Sequence, residues 1–411
     1  MRLLYVSHSF PASDRPLSNV GGMQRVAVDL HRAFAAESEV DLHSLLLQAS
    51  WRWTGVRTPP FLLSLLHRIP GIVEQRRIEV VLFSSMVTAA VVPVLRERIR
   101  AAGAIAATIP VGRDVTLPNP AYQRFVPRVL RSMDLILPIS RATAAACLER
   151  GAPAGNVHVV PCGTECGEPV GSAERAASRS ALIDLLSARE MRAAGEPLLL
   201  LSVGRHQERK GFHWFIDQVM PRLGENTIYL LVGSGPMTRT IEESVERRGL
   251  GGRVALLGQV DEEMLKTLYA GTDLFVMPNI PVAGDIEGFG VVMVEAGAAG
   301  LPVIAADLEG IRDVVTPGEN GTLVTSSDPA AFARAIDGYR DRQTRELASA
   351  RAADHVRAHF AWSAIARAHL DIFSARLTSS AKEPGDPAQD RHEASEDLRQ
   401  HPQQDRLEEK A

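Results

Sequence analysis

The chain has 411 residues, of which 45% are hydrophobic and 23% are charged, and its formal net charge at pH 7 is −4. This length suits two domains of ordinary size better than one core. The slightly acidic balance argues against a general nucleic-acid binder. Three cysteines without paired spacing fit neither a disulfide framework nor a zinc site. We therefore expect a protein of a reducing, cytoplasmic compartment.

Short apolar runs alternate with helical patterns along most of the chain, which predicts an α/β protein with parallel sheets. The predicted strands of the first half are residues 2–7, 39–46, 79–84, 104–109, 134–138 and 157–161. Those of the second half are residues 198–203, 227–232, 253–257, 273–277 and 302–305. Each of the latter is followed by a predicted helix, for example 212–223. Right-handed crossovers then give a doubly wound sheet in each half.

Composition also suggests where the domains begin and end. We predict a first domain at residues 1–165, a connection with one helix at 166–196, and a second domain at 197–360. Apolar periodicity predicts a last helix at 361–376. Residues 377–411 are rich in Glu, Asp, Gln and Pro and are predicted to be disordered.

Two apolar stretches bear on membranes. Residues 80–95 carry no charge but are too short and too interrupted to span a bilayer, so a strand and a helix are predicted there. The stretch Pro60–Arg68 is an apolar helix edged with basic residues. It could lie on a membrane surface, although packing against the core is the commoner outcome. A peripheral contact with the inner face of a membrane is left open.

The most informative run lies between Glu287 and Glu295, after the predicted strand at 273–277. Gly288 and Gly290 leave backbone amides uncovered where a helix is predicted to begin, and a helix N-terminus favours anions and hydroxyl groups. Eight helical steps rotate only about 80° net, so both carboxylates are predicted to face one cleft. We infer a site for a polyhydroxylated, phosphorylated ligand.

Basic residues follow the first strand of the second half. That strand ends at Gly204, and Arg205 and Lys210 flank the turn before the next helix. Ligands of open α/β sheets bind at the carboxyl ends of strands, and Arg forks match phosphate oxygens. We interpret both residues as ligand contacts, whereas Arg209 is readily explained as part of a solvated loop.

Glycine turns follow two other strands. Gly233 and Gly235 begin a dinucleotide-type turn, but Thr238 stands where the third glycine would be, which argues against a dehydrogenase. Gly21 and Gly22 follow the first strand and precede an amphipathic helix. Two glycines there allow a loop to cross closely over a cleft.

Taken together, these motifs resemble the GT-B family 4 of retaining, nucleotide-sugar-dependent glycosyltransferases, over roughly residues 1–375. The resemblance implies two Rossmann-like domains that face each other across a cleft, with a C-terminal helix that returns to the first domain. It implies transfer of a sugar from a UDP- or GDP-sugar to a hydroxyl acceptor. The nucleotide sugar is then a co-substrate, and neither another cofactor nor a metal is required.

The resemblance also implies roles for individual residues. Arg205 and Lys210 would hold the donor diphosphate in place of a metal, and Glu295 would bind the ribose hydroxyls. The hydroxyls of the transferred sugar would be held by Glu287 together with the amides of Gly288, Phe289 and Gly290.

The remaining implied contacts come from three further positions. Val260 would offer backbone contacts to the base, and Gly21 and Gly22 would lie over the diphosphate from the opposite domain. Many family members place a His where this chain has Val111, whereas Asp114 is kept. This departure leaves the identity of the donor sugar open.

Two alternatives remain from the sequence. The chain could be a GT-B nucleotide-sugar epimerase, which would need acid/base groups around the sugar. It could also be a catalytically silent protein that binds sugar nucleotides. The sequence also does not decide whether the acceptor is a glycan, a lipid-linked molecule or a small molecule.

Overall fold

The computed structural model describes residues 1–11, 22–49, 51–191 and 195–382. Both β-sheets lie in one compact unit, Met1–His369. The part of the last helix that follows His369 belongs to a second unit, which begins at Leu370. Within the described ranges, no helix is long and apolar enough to cross a membrane.

The first sheet has five parallel strands in the order β2-β1-β3-β4-β5. Its strands are β1 (Arg2–Phe10), β2 (Asp41–Gln48), β3 (Val80–Phe83), β4 (Ile105–Thr108) and β5 (Leu135–Ile136). The helices connected to it are α1 (Gly22–Ala36), α2 (Trp51–Arg76), α3 (Met86–Ala89), α4 (Val92–Ala101), α5 (Arg113–Thr116), α6 (Pro120–Arg131) and α7 (Arg141–Glu149).

Helix α2 contains the basic, apolar stretch singled out in the sequence. One of its faces, at Phe61, Leu65, Ile69 and Val73, is buried in the core of the first domain, so the core-facing interpretation is confirmed. These residues recur at helical spacing, which places them on a single stripe. Other positions of the helix expose apolar side chains, which are those of Trp53, Val56 and Leu63.

The second sheet has six parallel strands in the order β11-β10-β9-β6-β7-β8. Its strands are β6 (Leu198–Val203), β7 (Thr227–Val232), β8 (Val254–Gly258), β9 (Leu274–Met277), β10 (Val303–Ala306) and β11 (Gly321–Val324). The helices are α8 (Ser172–Ala188), which precedes the sheet, α9 (Phe212–Trp214), α10 (Thr238–Arg247), α11 (Glu262–Gly271), α12 (Val291–Ala298), α13 (Pro329–Asp337), α14 (Arg342–Phe360) and α15 (Trp362–Lys382).

The predicted fold class, with a doubly wound parallel sheet in each half, is confirmed. The first turns of α15 lie against the first domain, as predicted, because Arg367 forms ion pairs with Glu37 at 2.9 Å and Glu39 at 3.1 Å. This helix continues past the predicted end at residue 376 to Lys382. The rest of the predicted tail, residues 383–411, lies outside the described residues.

Three points of the predicted secondary structure need correction. Residues 157–161 form no strand, only an isolated bridge between Val157 and Ile136, because Pro138 after β5 lacks an amide for a longer ladder. Strand β11 was not predicted. It pairs with β10, and its first residue, Gly321, lies so close to Val303 that a Cβ on Gly321 would be 2.1 Å from the Val303 carbonyl oxygen.

The third correction concerns the helix predicted at 212–223. It is broken into α9, a π-helical turn at Phe215–Val219 and a 3-10 turn at Met220–Arg222. Pro221 cannot donate the helical hydrogen bond to the carbonyl of Asp217, so the regular helix cannot continue.

Candidate functional site

The site lies where the direction of chain connection in the second sheet reverses. Strands β6 and β9 are neighbours, and the chain moves from β6 to one side and from β9 to the other. In open α/β sheets this switch point forms a crevice at the carboxyl ends of the strands. Lys210 follows β6 and Glu287 follows β9, so the fold brings the two predicted residues to the same crevice.

The loops after β6 and β9 are joined through their backbones. The amide of Ile280 donates to the carbonyl oxygen of Arg209 at 3.0 Å. Gly211 has φ 65°, and a Cβ there would lie 2.1 Å from the carbonyl oxygen of Pro278. Only glycine allows this approach, and it fixes the position of Lys210, the preceding residue.

Glu287 and Lys210 form a buried ion pair. Lys210 Nζ lies 2.6 Å from Glu287 Oε2, and each side chain is 8% exposed. Asn279 Nδ2 donates to the same oxygen at 3.2 Å, and Arg209 Nε lies 3.6 Å from it. A carboxylate surrounded by these groups is held in one position, with its charge compensated.

The charges around Glu287 determine its ionisation. Burial alone would raise the pKa of its carboxyl, but the positive charges of Lys210 and Arg209 outweigh burial and hold that pKa below its ordinary value. Glu287 is therefore an anion at neutral pH and accepts hydrogen bonds. It is suited to bind hydroxyl groups rather than to donate a proton.

The three basic residues near β6 differ in their surroundings. Arg205 is exposed, and its side chain forms neither a hydrogen bond nor an ion pair with any residue that the structure describes. Arg209, which the sequence assigned to a solvated loop, instead lies 17% exposed between Glu287 and Asp285. The solvated-loop interpretation of Arg209 is wrong.

The loop between Glu287 and α12 differs from its prediction in one respect. The helix begins only at Val291, after Gly290 with φ 83°, so Glu287 precedes the helix and Glu295 lies within it. The eight steps from Glu287 to Glu295 are therefore not all helical, and the prediction that both carboxylates share one helical face is wrong. Phe289 is 2% exposed with its ring 6.2 Å from that of Phe360, so only its backbone is available to a ligand.

Gly288 lies directly against the first domain. A Cβ on Gly288 would lie 2.8 Å from the carbonyl oxygen of Val111, and one on Gly112 would lie 3.3 Å from Gly288 Cα. Behind this contact, a Cβ on Gly310 would lie 2.1 Å from the carbonyl oxygen of Gly288. Val111, the position of the departure from the family pattern, is thus in contact with the loop that follows Glu287.

Asp114 shapes this loop of the first domain. Its carboxylate accepts hydrogen bonds from the amide of Val111 at 2.8 Å and from the amide of Met86 at 3.1 Å. Burial raises the pKa of Asp114 to about 6, although these hydrogen bonds act in the opposite direction. The carboxyl group therefore positions Val111 from below the surface.

Glu295 lines a separate cavity of about 370 Å³ between the two domains. Its Oε1 lies 2.8 Å from Nη1 of Arg25 on α1, and its Oε2 accepts a hydrogen bond from the Tyr269 hydroxyl at 3.0 Å. Burial and the charge of Glu295 raise the pKa of Tyr269 well above its ordinary value, so this hydroxyl remains a donor. Glu287 does not line this cavity.

The other predicted contacts are placed as follows. Val260 is half-buried after β8, one residue before the N-cap residue Asp261 of α11. Gly22 is the first residue of α1. Gly21 lies outside the described residues.

The structure adds four residues that the sequence did not identify as part of the site. Asn279, Arg25 and Tyr269 were not singled out, and Arg209 was assigned to a solvated loop. Asn279 and Arg209 carried a signal, since each follows a strand at the edge where ligands bind. Arg25 and Tyr269 carried none, because they reach Glu295 from different helices. Among the described residues no group of three or more His, Cys, Asp or Glu side chains could hold a metal ion.

Comparison with known proteins covers the second domain most directly. Residues 197–340 match the family model for glycosyl transferases group 1. The chain is 36% identical over 199 residues to phosphatidyl-myo-inositol mannosyltransferase of Mycobacterium leprae, covering 46% of this chain and 50% of the relative. It is 33% identical over 234 residues to D-inositol 3-phosphate glycosyltransferase of Xylanimonas cellulosilytica, covering 54% and 52%. The chain thus spans about half the length of these curated relatives.

Solved structures are similar over nearly the whole chain. Alr3699/HepE of Anabaena in complex with UDP has a TM-score of 0.67 at 18% identity and covers 91% of this chain and 100% of its own. Sucrose-phosphate synthase of Thermosynechococcus elongatus has a TM-score of 0.69 at 22% identity, with 92% and 99% covered. At these identities the similarity concerns the fold.

Proposed function

We propose that this chain, whose residues 197–340 match the family model for glycosyl transferases group 1 and whose fold is GT-B, is a retaining glycosyltransferase. It would move a sugar from a UDP- or GDP-sugar to a hydroxyl acceptor without requiring a metal. The observation that carries this proposal is the buried Lys210–Glu287 pair at the switch point of the second sheet, in contact with the first domain through Gly288.

The basic residues would bind the donor diphosphate. Arg205 is exposed and has its donors available, and an Arg fork matches phosphate oxygens. Lys210 has three donors, of which Glu287 occupies one. Fixed positive charges at the departing diphosphate stabilise the negative charge that develops there as the sugar bond breaks.

Anionic Glu287 would hold the hydroxyls of the transferred sugar together with the amides of residues 288–290. A negative charge beside the sugar also stabilises an oxocarbenium-like transition state. In a retaining reaction by front-face attack, the leaving phosphate oxygen takes the proton of the acceptor hydroxyl. The acceptor oxygen then bonds to the anomeric carbon as the bond to the diphosphate breaks.

Glu295 would bind the ribose, and the backbone at Val260 would contact the base. HepE of Anabaena was crystallised with UDP, which supports a UDP-sugar rather than a GDP-sugar as the donor of this chain. Val111, which stands where many family members have a His, lies against Gly288. This position supports the inference that replacing the His changes how the sugar is recognised.

The experiment that tests the function follows release of nucleoside diphosphate by the purified full chain from UDP-, GDP- and ADP-sugars, with and without a panel of hydroxyl acceptors. We expect release from at least one donor, and a product that keeps the anomeric configuration by NMR. A sugar isomer formed from the donor without an acceptor would indicate an epimerase instead. Binding of a donor without any turnover would indicate a silent binding protein.

A lipid-linked acceptor would bring the protein to a membrane, and α2 is the element we propose for that contact. It exposes Trp53, Val56 and Leu63, and the basic residues Arg57 and Arg68 are also exposed on it. Such a face can bind anionic lipid headgroups. When vesicles containing anionic lipid are sedimented, the wild type should be found in the pellet and a Trp53→Ser/Leu63→Ser variant in the supernatant. Equal retention of both would contradict this contact.

A further inference from the structure

A second cavity, of about 700 Å³, opens at the edge of the second sheet that is opposite to Lys210 and Glu287. Its wall includes residues 271–273, which lead into β9, and residues 299–300, which precede β10. These are the amino ends of strands whose carboxyl ends form the donor crevice. The volume is that of a small-molecule site, and none of the residues proposed for the donor lines it.

Arginines dominate the charged lining of this cavity. They are Arg175 and Arg179 of α8 and Arg345 of α14, together with Arg342 of α14, which lies at the rim, 77% exposed and 2.8 Å from Glu346. Among the described lining residues, Asp273 alone holds a carboxylate deep in the wall; it is 12% exposed, and Arg179 contacts it at 2.6 Å and Arg345 at 3.2 Å. The other two lining acids, Glu196 and Glu346, have side chains that are 71% and 64% exposed and lie at the rim.

Arg175 is the least compensated of these cations. Its Nη1 donates to the carbonyl of Ala270 at 3.2 Å and its Nη2 to that of Ala299 at 3.0 Å. Within the described ranges no carboxylate forms an ion pair with it. Burial lowers the pKa of Arg175, although the charges of Asp273 and Glu174 act in the opposite direction. Gly300 makes room for this guanidinium, since a Cβ there would lie 3.0 Å from Nη2.

The rest of the wall combines small apolar side chains with the hydroxyl residues Ser172, Ser180, Thr272 and Ser349. Val170, Ala176, Ala350 and Ala353 line the cavity beside the guanidinium groups. A bare phosphate would leave most of such a volume unfilled. The combination of arginine donors and small apolar side chains fits a ligand with an anionic group and a larger body.

We propose that this cavity is a binding site for a small phosphomonoester of about the size of a hexose phosphate, separate from the donor site. Arg175 and Arg342 bind the phosphate oxygens, and the apolar wall contacts the body of the ligand. The proposal does not depend on the function proposed above, because no residue of the donor crevice takes part.

Arg175 also links this cavity to the helices that carry the Glu295 contacts. Ala270 lies near the end of α11, which carries Tyr269, and Ala299 is the C-cap residue of α12, which carries Glu295. A phosphate that binds Arg175 competes for the donors that now tie both helix ends together. Under the proposed function, ligand in this cavity therefore changes UDP affinity, and UDP changes the affinity of the ligand by the same factor.

Calorimetry on the full chain tests the site, with glucose 6-phosphate as the probe and glucose as the uncharged control. We expect glucose 6-phosphate to bind and glucose not to bind. Arg175→Gln should weaken binding about tenfold or more, because a charge-assisted hydrogen bond to phosphate is lost. Since Arg175 also ties two helix ends, Ala350→Trp provides a second variant that fills the cavity from an exposed helical position.

Two further variants locate the binding. Arg239→Gln removes an arginine that is 89% exposed and lies outside the cavity, and it should bind like the wild type. Arg205→Gln removes a cation of the donor crevice and should also bind like the wild type. Binding that survives Ala350→Trp but is lost in Arg205→Gln would place the phosphate in the donor crevice and overturn the proposal. Absence of glucose 6-phosphate binding, or equal binding of glucose, would overturn it as well.

Discussion

Arg25 of the first domain forms an ion pair with Glu295 of the second, with 2.8 Å between Nη1 and Oε1. The Arg25 side chain is 44% exposed and that of Glu295 is 15% exposed. The residue proposed to bind ribose is thus occupied by a side chain from across the cleft. A ribose that binds Glu295 has to share or displace this contact.

The first prediction follows from that competition. Arg25→Gln should tighten UDP binding about two- to fivefold, because a partly exposed ion pair contributes up to roughly 1 kcal/mol. Titration calorimetry with UDP measures the change. Arg32→Gln is the matched control, since it is on the same helix and, among the residues that the structure describes, pairs with Asp29 alone at 3.3 Å. Weaker UDP binding in Arg25→Gln would mean that Arg25 itself contacts the nucleotide.

The second prediction concerns the buried pair of Lys210 and Glu287. Lys210→Met should lower the free energy of unfolding by about 3 kcal/mol, because it leaves a buried carboxylate without its main partner. The double variant Lys210→Met/Glu287→Gln should lose less than the sum of the two single variants. Urea unfolding of the four proteins measures the coupling.

Arg205→Met is the control for this cycle. Its side chain is exposed, so the free energy of unfolding should change by less than about 0.5 kcal/mol. The same variant should nevertheless weaken UDP binding, because it removes a proposed diphosphate contact. Additive effects of Lys210→Met and Glu287→Gln would show that the two residues do not stabilise each other.

The third prediction concerns the close contact of Gly288 with the first domain. Gly288→Ala places a methyl group 2.8 Å from the Val111 carbonyl oxygen and should cost about 1–3 kcal/mol of stability. Gly310→Ala should cost more, since its methyl group would lie 2.1 Å from a backbone oxygen. Thermal unfolding compares them with Gly71→Ala on α2, where nothing lies within 4 Å and a small gain is expected. Wild-type stability in Gly310→Ala would contradict the packing described here.

The fourth prediction concerns pH. The folded-state pKa of Asp114 is about 6, above its ordinary value of 3.8, so the folded protein holds this proton more tightly than the unfolded chain. Its contribution to stability is therefore complete below pH 3.8 and is lost as pH rises through 6. The linked change in unfolding free energy is on the order of 3 kcal/mol.

Denaturant unfolding from pH 4 to pH 7 measures that contribution. The wild type should lose stability in this window relative to Asp114→Asn, whose side chain does not titrate. Parallel curves for the two proteins would show that Asp114 is already ionised throughout.

The two parallel sheets and most strands could be predicted from the sequence, because each buried strand is a continuous apolar run between turns. Strand β11 could not, since its Asn320-Gly321 start reads as a turn, whereas the glycine is needed for close pairing with Val303. The break after α9 was also missed, although Pro221 is visible in the sequence. The predicted domain boundaries stay predictions.

The candidate site was partly predictable. Lys210 and Glu287 were identified because each follows a strand at the switch point of the sheet, where chain order alone sets the geometry. The pair of Arg25 and Glu295 depends on how the two domains pack together, and no local pattern encodes that. Arg205 and Arg209 could both be placed near the site because they follow β6. Which of the two is exposed and which is buried could not be predicted, because neighbouring positions of a short loop have no periodicity.

Donor turnover by the wild type and by Lys210→Met is the most direct test of the proposed glycosyl transfer. Release of nucleoside diphosphate from UDP-, GDP- and ADP-sugars is measured on both proteins, with circular dichroism to confirm that the variant is folded. We predict release from at least one donor by the wild type and a decrease of about 100-fold or more in the variant. No release from any donor by the folded wild type, or undiminished release by Lys210→Met, would contradict the account.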